Sequence, residues 1–357
     1  MTPLDFIYRS TASRVVFGAG ALQHLERELG LLGSQRALVL CTPEQRADAQ
    51  ALVDRLGSRA AGCFAQATMH VPIAIVRQAM TMANELSVDC LVALGGGSTI
   101  GLAKAMALQA TLPILAIPTT YAGSEMTNIY GMTEAERKLT GRDDRVLPKT
   151  VIYDPMLTLS LPVDMSATSG MNAIAHCVEA LYAVDGNPIV SLLAQESIGA
   201  LAKGLQQVIT ASTDVESRAG CQYGAWLAGI ALNSSSVALH HKLCHVLGGT
   251  LNLPHAATHA IVLPYAVAYN APYASDAMRA IERALGCTEA AVGLYALARR
   301  LGAPAGLRAL GVHRDQLDLI ADLAAQSPYP NPRPLEREAL RALLEQAYAG
   351  EPPCPID

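Results

Sequence analysis

The pattern of apolar residues divides the chain into two halves of different structure. In the first half, short apolar runs at 37–41, 90–94 and 113–118 alternate with stretches of helical periodicity. Strands that are apolar on both faces and are separated by amphipathic helices indicate a parallel sheet covered on both sides. We therefore predict an α/β domain over residues 1–160. Its helices are expected near 44–56 and 72–85, with another that starts near Thr99.

From about Leu161 onward, apolar positions recur at intervals of three and four, for example over 194–208, 217–231 and 290–301. This spacing predicts helices. The proline-marked segment 147–162 is the natural junction between the halves, because proline interrupts regular elements. We predict an all-helical domain over 161–357, in which SPYPNPRP at 327–334 is a surface loop before the last helix.

Composition and charge exclude several classes of protein. The chain is 51% hydrophobic, 16% charged and 4% aromatic, which is typical of a well-buried, helix-rich enzyme. A net charge of -5 with dispersed lysines and arginines argues against nucleic-acid binding. No apolar run has the length of a signal peptide or a membrane span, and the eight cysteines show no CxxC spacing. We expect a cytoplasmic protein with no membrane or nucleic-acid partner.

A glycine-rich turn follows one of the predicted strands. Gly95, Gly96, Gly97 and Ser98 come directly after CLVAL and open the next helix. Glycines allow close approach of the backbone to a pyrophosphate, and the amides of a helix N-terminus bind its charge. A triple glycine also fits an ordinary tight turn, but Thr119 and Thr120 follow the neighbouring strand at the same edge, where open α/β sheets bind ligands. We predict that these six residues bind a nucleotide cofactor.

The end of the strand LVLC predicts the choice of cofactor. An acidic residue at this position would hydrogen-bond the adenosine ribose, whereas this chain carries the neutral Thr42. We therefore expect Thr42 to contact the cofactor and both NADH and NADPH to be used. Any preference for NADH should stay below roughly a thousandfold, about 4 kcal/mol.

Histidines cluster in the helical half. The cluster contains six of the nine histidines: 176, 240, 241, 245, 255 and 259. Asn172 and His176 are four residues apart, as are His241 and His245, so each pair shares a helix face. His255 follows after nine residues. Several unpartnered imidazoles are costly to bury, so the cluster predicts a catalytic site, but one with a neutral amide where a metal centre would have a carboxylate.

Motifs along nearly the whole chain resemble the iron-containing (group III) alcohol dehydrogenases. The matching segments, in family order, are FGAGAL near the start, GGGSTIGLAKA at 95–105, IPTTYAGSEMT at 117–127, LPKTVIYDPMLT at 147–158, SGMNAIAHCVEALYA at 169–183 and HHKLCHVLGGTLNLPHAATHAIVLPY at 240–265. The resemblance implies the architecture that this family shares with dehydroquinate synthase, in which a Rossmann-like α/β domain precedes a helical domain. It also implies a homodimer and a cofactor contact at Lys149.

The chain departs from this family at its metal site. Family members hold the metal with an aspartate and three histidines, whose places are taken here by Asn172, His176, His241 and His255. An amide removes the anionic ligand, so we expect no metal; if an ion is bound, the three histidines are its ligands. Gly101 stands where many of the dehydrogenases have aspartate. Both departures resemble the maleylacetate reductase branch of the family.

That resemblance implies a function. Enzymes of this branch use NADH or NADPH to reduce the C=C bond of maleylacetate to 3-oxoadipate in bacterial degradation of resorcinol, hydroxyquinol and chlorinated aromatics. In this interpretation the four histidines 176, 241, 245 and 255 stabilise an enolate and supply its proton, with His245 the first choice as donor. Asn172 orients this small dicarboxylate substrate, and His240 and Lys242 attract its carboxylates.

Three alternatives remain open at this stage. A metal-dependent alcohol or lactaldehyde-type dehydrogenase could use Asn172 as a neutral oxygen ligand, and metal analysis would detect it. A lyase similar to dehydroquinate synthase would need more lysine and arginine than 240–260 supplies. A non-catalytic nucleotide-binding paralogue would leave the buried polar groups unused, and an assay of NADH oxidation with maleylacetate would distinguish it.

Overall fold

The structure, a computed structural model, describes residues 6, 8, 10, 13–135, 137–326 and 329–356. These residues form two compact units, one of Thr11–Leu161 and one of Pro162–Asp357 together with the first ten residues, which the prediction had assigned to the α/β domain. A search of the described helices finds none with the length and apolar character that a membrane span requires.

The first unit is an α/β fold, as the apolar runs predict. Its strands are β1 (Arg14–Phe17), β2 (Ala37–Leu40), β3 (Ala60–Phe64), β4 (Cys90–Gly95), β5 (Ile114–Pro118), β6 (Ile129–Glu134), β7 (Arg137–Arg142) and β8 (Thr150–Tyr153). Its α-helices are α1 (Leu25–Leu31), α2 (Arg46–Leu56), α3 (Ile73–Glu85) and α4 (Gly97–Ala110). Six parallel strands form one sheet in the order β1-β8-β5-β4-β2-β3, and β6 pairs with β7 in a separate antiparallel hairpin.

The central strands are buried on both faces, which explains their uninterrupted apolar runs. In β2, Leu38 and Leu40 enter one hydrophobic cluster, while Ala37 and Val39 enter another. Successive side chains of a strand point to opposite faces, so the two clusters lie on opposite sides of the sheet. The predicted sheet with helices on both faces is confirmed.

Some of the strands escape the sequence analysis. β3 reads AAGCF and offers only small residues before its phenylalanine, and the β6–β7 hairpin carries mainly polar and charged positions. The segment 147–162, predicted only as a junction, contains β8, which is fully buried between β1 and β5. Its apolar residues therefore belong to the sheet core, and the unit ends only at Leu161.

A buried lysine fixes the chain that follows β5. Lys104 on α4 is 1% exposed and donates hydrogen bonds from Nζ to Ser124 O (2.6 Å), Thr127 Oγ1 (2.8 Å) and Ile129 O (2.8 Å). A buried ammonium is stable only when its N–H groups have acceptors, and these three provide them. The segment after Thr119 and Thr120 is thereby held to the helix that begins at the glycine turn.

The second unit is built from helices, as predicted, and its described residues form no strand. The helices are α5 (Val163–Tyr182), α6 (Pro188–Thr210), α7 (Val215–Ser234), α8 (Leu239–Leu251), α9 (His255–Asn270), α10 (Ser275–Leu285), α11 (Ala290–Arg300), α12 (Gln316–Gln326) and α13 (Arg337–Ala349). α5 packs against α6, α7 and α9, and α8 packs against α9. The histidine cluster is carried by α5, α8 and α9.

The predicted surface loop at 327–334 is more firmly held than its proline content indicates. Its first two residues lie outside the described residues. Arg333 is 8% exposed, donates to Ile356 O at 2.6 Å and stacks on the Tyr269 ring at 4.4 Å. Asn331 exchanges side-chain hydrogen bonds with Asn270 on α9. The described part of this segment is therefore packed onto the helical unit.

Candidate functional site

One face of the C-terminal half of α5 carries three buried polar residues. Asn172, His176 and Glu179 are 6%, 7% and 0% exposed, and their spacing of four and three residues places them on the same face. Asn172 Nδ2 lies 3.3 Å from His176 Nε2. The predicted pairing of Asn172 with His176 is therefore formed.

This face continues into α8 through His241. Its Nε2 lies 2.8 Å from His176 Nδ1, and its Nδ1 lies 2.6 Å from Glu179 Oε2. The two imidazole rings are stacked with their centroids 4.9 Å apart. Asn172, His176, His241 and Glu179 thus form one continuous hydrogen-bonded row, which we call the polar array.

Glu179 was not identified by the sequence analysis. Its carboxylate accepts hydrogen bonds from the backbone N–H groups of Ala238 (2.8 Å) and His240 (2.7 Å). These groups lie at the start of α8, which has no side-chain cap of its own. Burial raises the pKa of Glu179 above its ordinary value, and the hydrogen bonds that it accepts offset only part of this rise. An acid three residues after His176 in an apolar helix was the available signal.

The remaining histidines lie at different depths. His259 and His240 are completely buried, whereas His245 and His255 are exposed. The ring centroids are 4.1 Å apart for His255 and His259 and 6.3 Å apart for His241 and His245. The cluster therefore extends from solvent to the interior of the helical unit.

Burial keeps the inner histidines neutral. It lowers the pKa of His240 to about 4 and holds the pKa values of His241 and His259 well below their usual range. His240 Nε2 lies 3.0 Å from the carbonyl oxygen of His259. The structure therefore does not support the predicted contact of His240 with substrate carboxylates. Lys242 is partly exposed, with Nζ 5.4 Å from the centre of the Tyr329 ring.

The polar array does not fit the metal that the family resemblance implies. With the proton of His241 on Nδ1, toward Glu179, its Nε2 accepts from His176 Nδ1, and His176 Nε2 accepts from the amide of Asn172. An ion held by His176, His241 and His255 would need those lone pairs. Among the residues that the structure describes, the group suited to an ion is His240, His241 and His259, whose ligand atoms lie within 4.8 Å of one another and include no carboxylate.

The glycine turn has the shape of an anion cradle. A Cβ on Gly95 would collide with Thr99 Oγ1, and one on Gly96 would lie 2.8 Å from Thr120 Cγ2. A Cβ on Gly97 would have no atom within 4 Å, so space remains open at the first residue of α4. The turn thus leaves a helix N-terminus accessible to a phosphate group.

Two further residues lie near this turn. Gln45 Nε2 donates to Thr119 Oγ1 at 3.0 Å, a link that the sequence analysis missed. The exposed Glu44 accepts a hydrogen bond from the Thr42 hydroxyl, which lowers the pKa of its carboxyl group. The predicted ribose position is therefore not neutral, because an acid lies directly beside Thr42.

Lys149 lies at the amino ends of the parallel strands, opposite to the carboxyl ends, where the glycine turn lies. Its backbone N–H donates to Ile114 O, at the start of β5, whereas Thr119 follows the end of that strand. Four residues of β5 lie between Ile114 and Thr119, which places these two backbone positions about 16 Å apart. The structure therefore does not support the predicted contact of Lys149 with a cofactor at the glycine turn.

The packing around α4 explains why residue 101 is a glycine. A Cβ at this position would lie 2.8 Å from Val71 Cγ2. Val71 has a positive φ of 47°, unusual for a β-branched residue, and Thr133 N–H donates to its carbonyl at 3.1 Å. The backbone at Val71 is held against α4, so position 101 has no room for a side chain.

Two family profiles match most of the chain. Residues 12–155 match the iron-containing alcohol dehydrogenases, and residues 166–348 match the C-terminal domain of the Fe-containing alcohol dehydrogenase family. The chain is 58% identical to a maleylacetate reductase of Burkholderia cepacia over 98% of its own length and 99% of that protein. It superposes on the maleylacetate reductase of Rhizobium sp. strain MTP-10005 with a TM-score of 0.95, 49% identity and coverage of 99% and 100%. For that of Agrobacterium tumefaciens the TM-score is 0.96 at 48% identity, with coverage of 99% and 100%.

Proposed function

The chain belongs to the iron-containing alcohol dehydrogenase family, and on that basis we propose that it is an NAD(P)H-dependent maleylacetate reductase. The reaction is the reduction of the C=C bond of maleylacetate to 3-oxoadipate. The relatives of that name, which match the chain over almost its whole length, support this assignment. The observation that carries it is the polar array, in which a neutral amide stands at the place of the family's metal-binding carboxylate.

The chemistry suits a site without a metal. When bound, NAD(P)H supplies a hydride to the carbon beta to the ketone. The electron pair of the C=C bond then moves toward the ketone oxygen, and the resulting enolate takes up a proton at its alpha carbon. The protein must stabilise a developing oxyanion and supply one proton, and N–H donors held in fixed positions can do the first. Asn172, which is 6% exposed, provides such a donor.

We assign the supply of the proton to the exposed histidines. His245 and His255 are exposed and can exchange protons with solvent, whereas burial disfavours the charged form of His240 and His259. We retain His245 as the proposed donor, with His176, His241 and His255 in the site. Lys242 is the proposed cation for a substrate carboxylate. For the cofactor we propose Gly95, Gly96, Gly97, Ser98, Thr119 and Thr120 at the phosphates and Thr42 at the ribose.

Removal and introduction of a metal test the proposed function. We expect the chelator-treated protein to keep full activity with NADH and maleylacetate. Asn172→Asp supplies an anionic ligand and should strengthen zinc binding about a hundredfold or more, while it slows reduction of maleylacetate. Calorimetric titration with zinc and steady-state rates measure the two effects.

The conservative variant Asn172→Gln is the control, because it changes the length of the side chain but adds no charge. It should lose activity without gaining zinc affinity. Activity that disappears on chelation and returns with a divalent ion would contradict the proposal and favour a metal-dependent alcohol dehydrogenase. Oxidation of simple alcohols faster than reduction of maleylacetate would favour the same alternative.

Glu44 is expected to bias the choice between the two cofactors. Its carboxylate beside Thr42 should repel a 2′-phosphate, so we expect both cofactors to be used, with NADH preferred. Glu44→Gln should raise kcat/KM for NADPH about tenfold and change that for NADH little. Glu26→Gln, which removes an exposed acid on α1, is the matched control. An unchanged NADPH efficiency in Glu44→Gln would place the ribose elsewhere.

A further inference from the structure

Glu179 is a member of the polar array to which the proposed function gives no role. Its side chain is completely buried, and both oxygens accept hydrogen bonds. Two of the three donors are the backbone N–H groups of Ala238 and His240, which cannot act as acceptors. The carboxylate is therefore held as an acceptor toward its third partner, His241 Nδ1.

Because the Glu179 carboxylate can only accept, it sets the direction of the other hydrogen bonds in the polar array. His241 carries its proton on Nδ1, so its Nε2 accepts from His176 Nδ1 at 2.8 Å. His176 Nε2 then has a lone pair and accepts from Asn172 Nδ2 at 3.3 Å. A carboxylate at one end and an amide N–H at the other complete the array without an additional proton.

The orientation of the Asn172 amide decides what it can offer a substrate. Nδ2 carries two hydrogens, and His176 takes one of them, so the second is available to an oxygen atom. Oδ1 is buried and has no partner among the described residues. If the amide were turned over, Oδ1 would face His176, and the substrate would meet a lone pair of Oδ1 in place of the second hydrogen of Nδ2. An acceptor there would repel an oxyanion rather than stabilise it.

We propose that Glu179 is a positioning residue, which acts through His241 and His176 to hold the Asn172 N–H group in place for the developing enolate oxygen. This inference rests on the proposed function. It also accounts for the link between Asn172 and the metal independence that we propose. An aspartate at position 172 would leave an acceptor at both ends of the polar array, and a further proton or a cation would be needed between them.

The first test reads the array directly, without substrate. Nitrogen-15 NMR of the wild-type protein free of ligands assigns the protonated ring nitrogen of each histidine. We expect the Nδ1–H form for both His176 and His241. An Nε2–H form of His241 would overturn the proposal, whatever reaction the protein catalyses. The measurement therefore separates failure of this inference from failure of the proposed function, which the wild-type maleylacetate assay detects.

The second test compares two carboxylates of similar surroundings. Glu179→Gln leaves one acceptor oxygen for three donors and should lower kcat about tenfold or more, with the KM for NADH little changed. Asp154 is also buried and accepts from three backbone N–H groups, those of Gly20, Leu22 and Met156, and no described histidine is among its hydrogen-bond partners. Asp154→Asn makes the same change of charge and should keep kcat within about twofold of wild type.

Two results of this comparison would overturn the proposal. A Glu179→Gln enzyme with wild-type kcat would show that Asn172 needs no positioning, and an equal loss of kcat in Asp154→Asn would show a purely structural effect. If Glu179→Gln does not fold, the wild-type NMR assignment decides. In a third arm, Asn172→Asp/Glu179→Gln should lose most of the zinc affinity gained by Asn172→Asp alone, because its array again has a donor at one end. Undiminished zinc affinity in the double variant would contradict the linkage.

Discussion

Gly97→Val is expected to weaken NADH binding about a hundredfold or more, close to 2.7 kcal/mol, with little effect on folding. A Cβ at this position meets no protein atom within 4 Å, so the free protein has room for the side chain. The same space lies at the first residue of α4, where we propose that the pyrophosphate approaches the backbone. Fluorescence titration with NADH and thermal unfolding measure the two quantities.

Gly220→Val is the matched control for this variant. Gly220 also lies in a helix, on α7, and a Cβ there would likewise meet nothing within 4 Å. In neither variant does the new Cβ collide with the protein, so both should fold, and the melting temperature of each checks this. NADH affinity should fall only in Gly97→Val. Equal NADH affinity in the two variants would mean that the pyrophosphate does not lie at Gly97.

The free energy of unfolding is expected to fall steeply as the pH drops from 6.5 to 4. An unfolded histidine gains a proton near pH 6.5, whereas burial lowers the folded pKa of His240 to about 4 and keeps those of His241 and His259 far below normal. In this window the unfolded chain binds more protons, so acid favours unfolding. The contribution of the three buried histidines to the free energy of unfolding is fully present above pH 6.5. It is lost as the pH falls below that value, by up to about 4 kcal/mol per pH unit.

Carboxylates also contribute to acid unfolding, so the histidine part is isolated with a variant. Neither ring nitrogen of the buried His259 has a partner among the described residues, and His259→Phe should reduce the slope of stability against pH by about a third. His313→Gln, which removes an exposed histidine, should leave the slope unchanged. Denaturant unfolding at several pH values gives both slopes. The explanation is wrong if His259→Phe and the wild type show the same slope.

The sequence predicts those elements whose residue pattern fits only one kind of secondary structure. The run at 37–41 is buried on both sides of the sheet, and only a central parallel strand requires this. β3 and the β6–β7 hairpin were missed because small or polar residues in a short strand resemble a loop. β8 was missed because the prolines around it indicated a break.

The candidate site divides in the same way. The helical spacing of Asn172 and His176 predicts a shared face, which the structure confirms. Spacing gives no depth, so it could not distinguish the buried His240 from the exposed His245. Glu179 was missed because a lone glutamate in a helix is most often at the surface, and only the burial of this face reveals its partners. Lys149 was placed by a motif alone, and a motif does not state at which edge of the sheet a residue lies.

The steric relation between Val71 and Gly101 constrains the order in which substitutions can accumulate in this chain. A side chain at position 101 collides with Val71, whose backbone is fixed by the hydrogen bond from Thr133. The aspartate that many dehydrogenases of the family carry at this position therefore becomes tolerable only after Val71 has been replaced by a smaller residue such as alanine. The two positions are epistatic, and an evolutionary path in either direction changes Val71 while position 101 is still glycine.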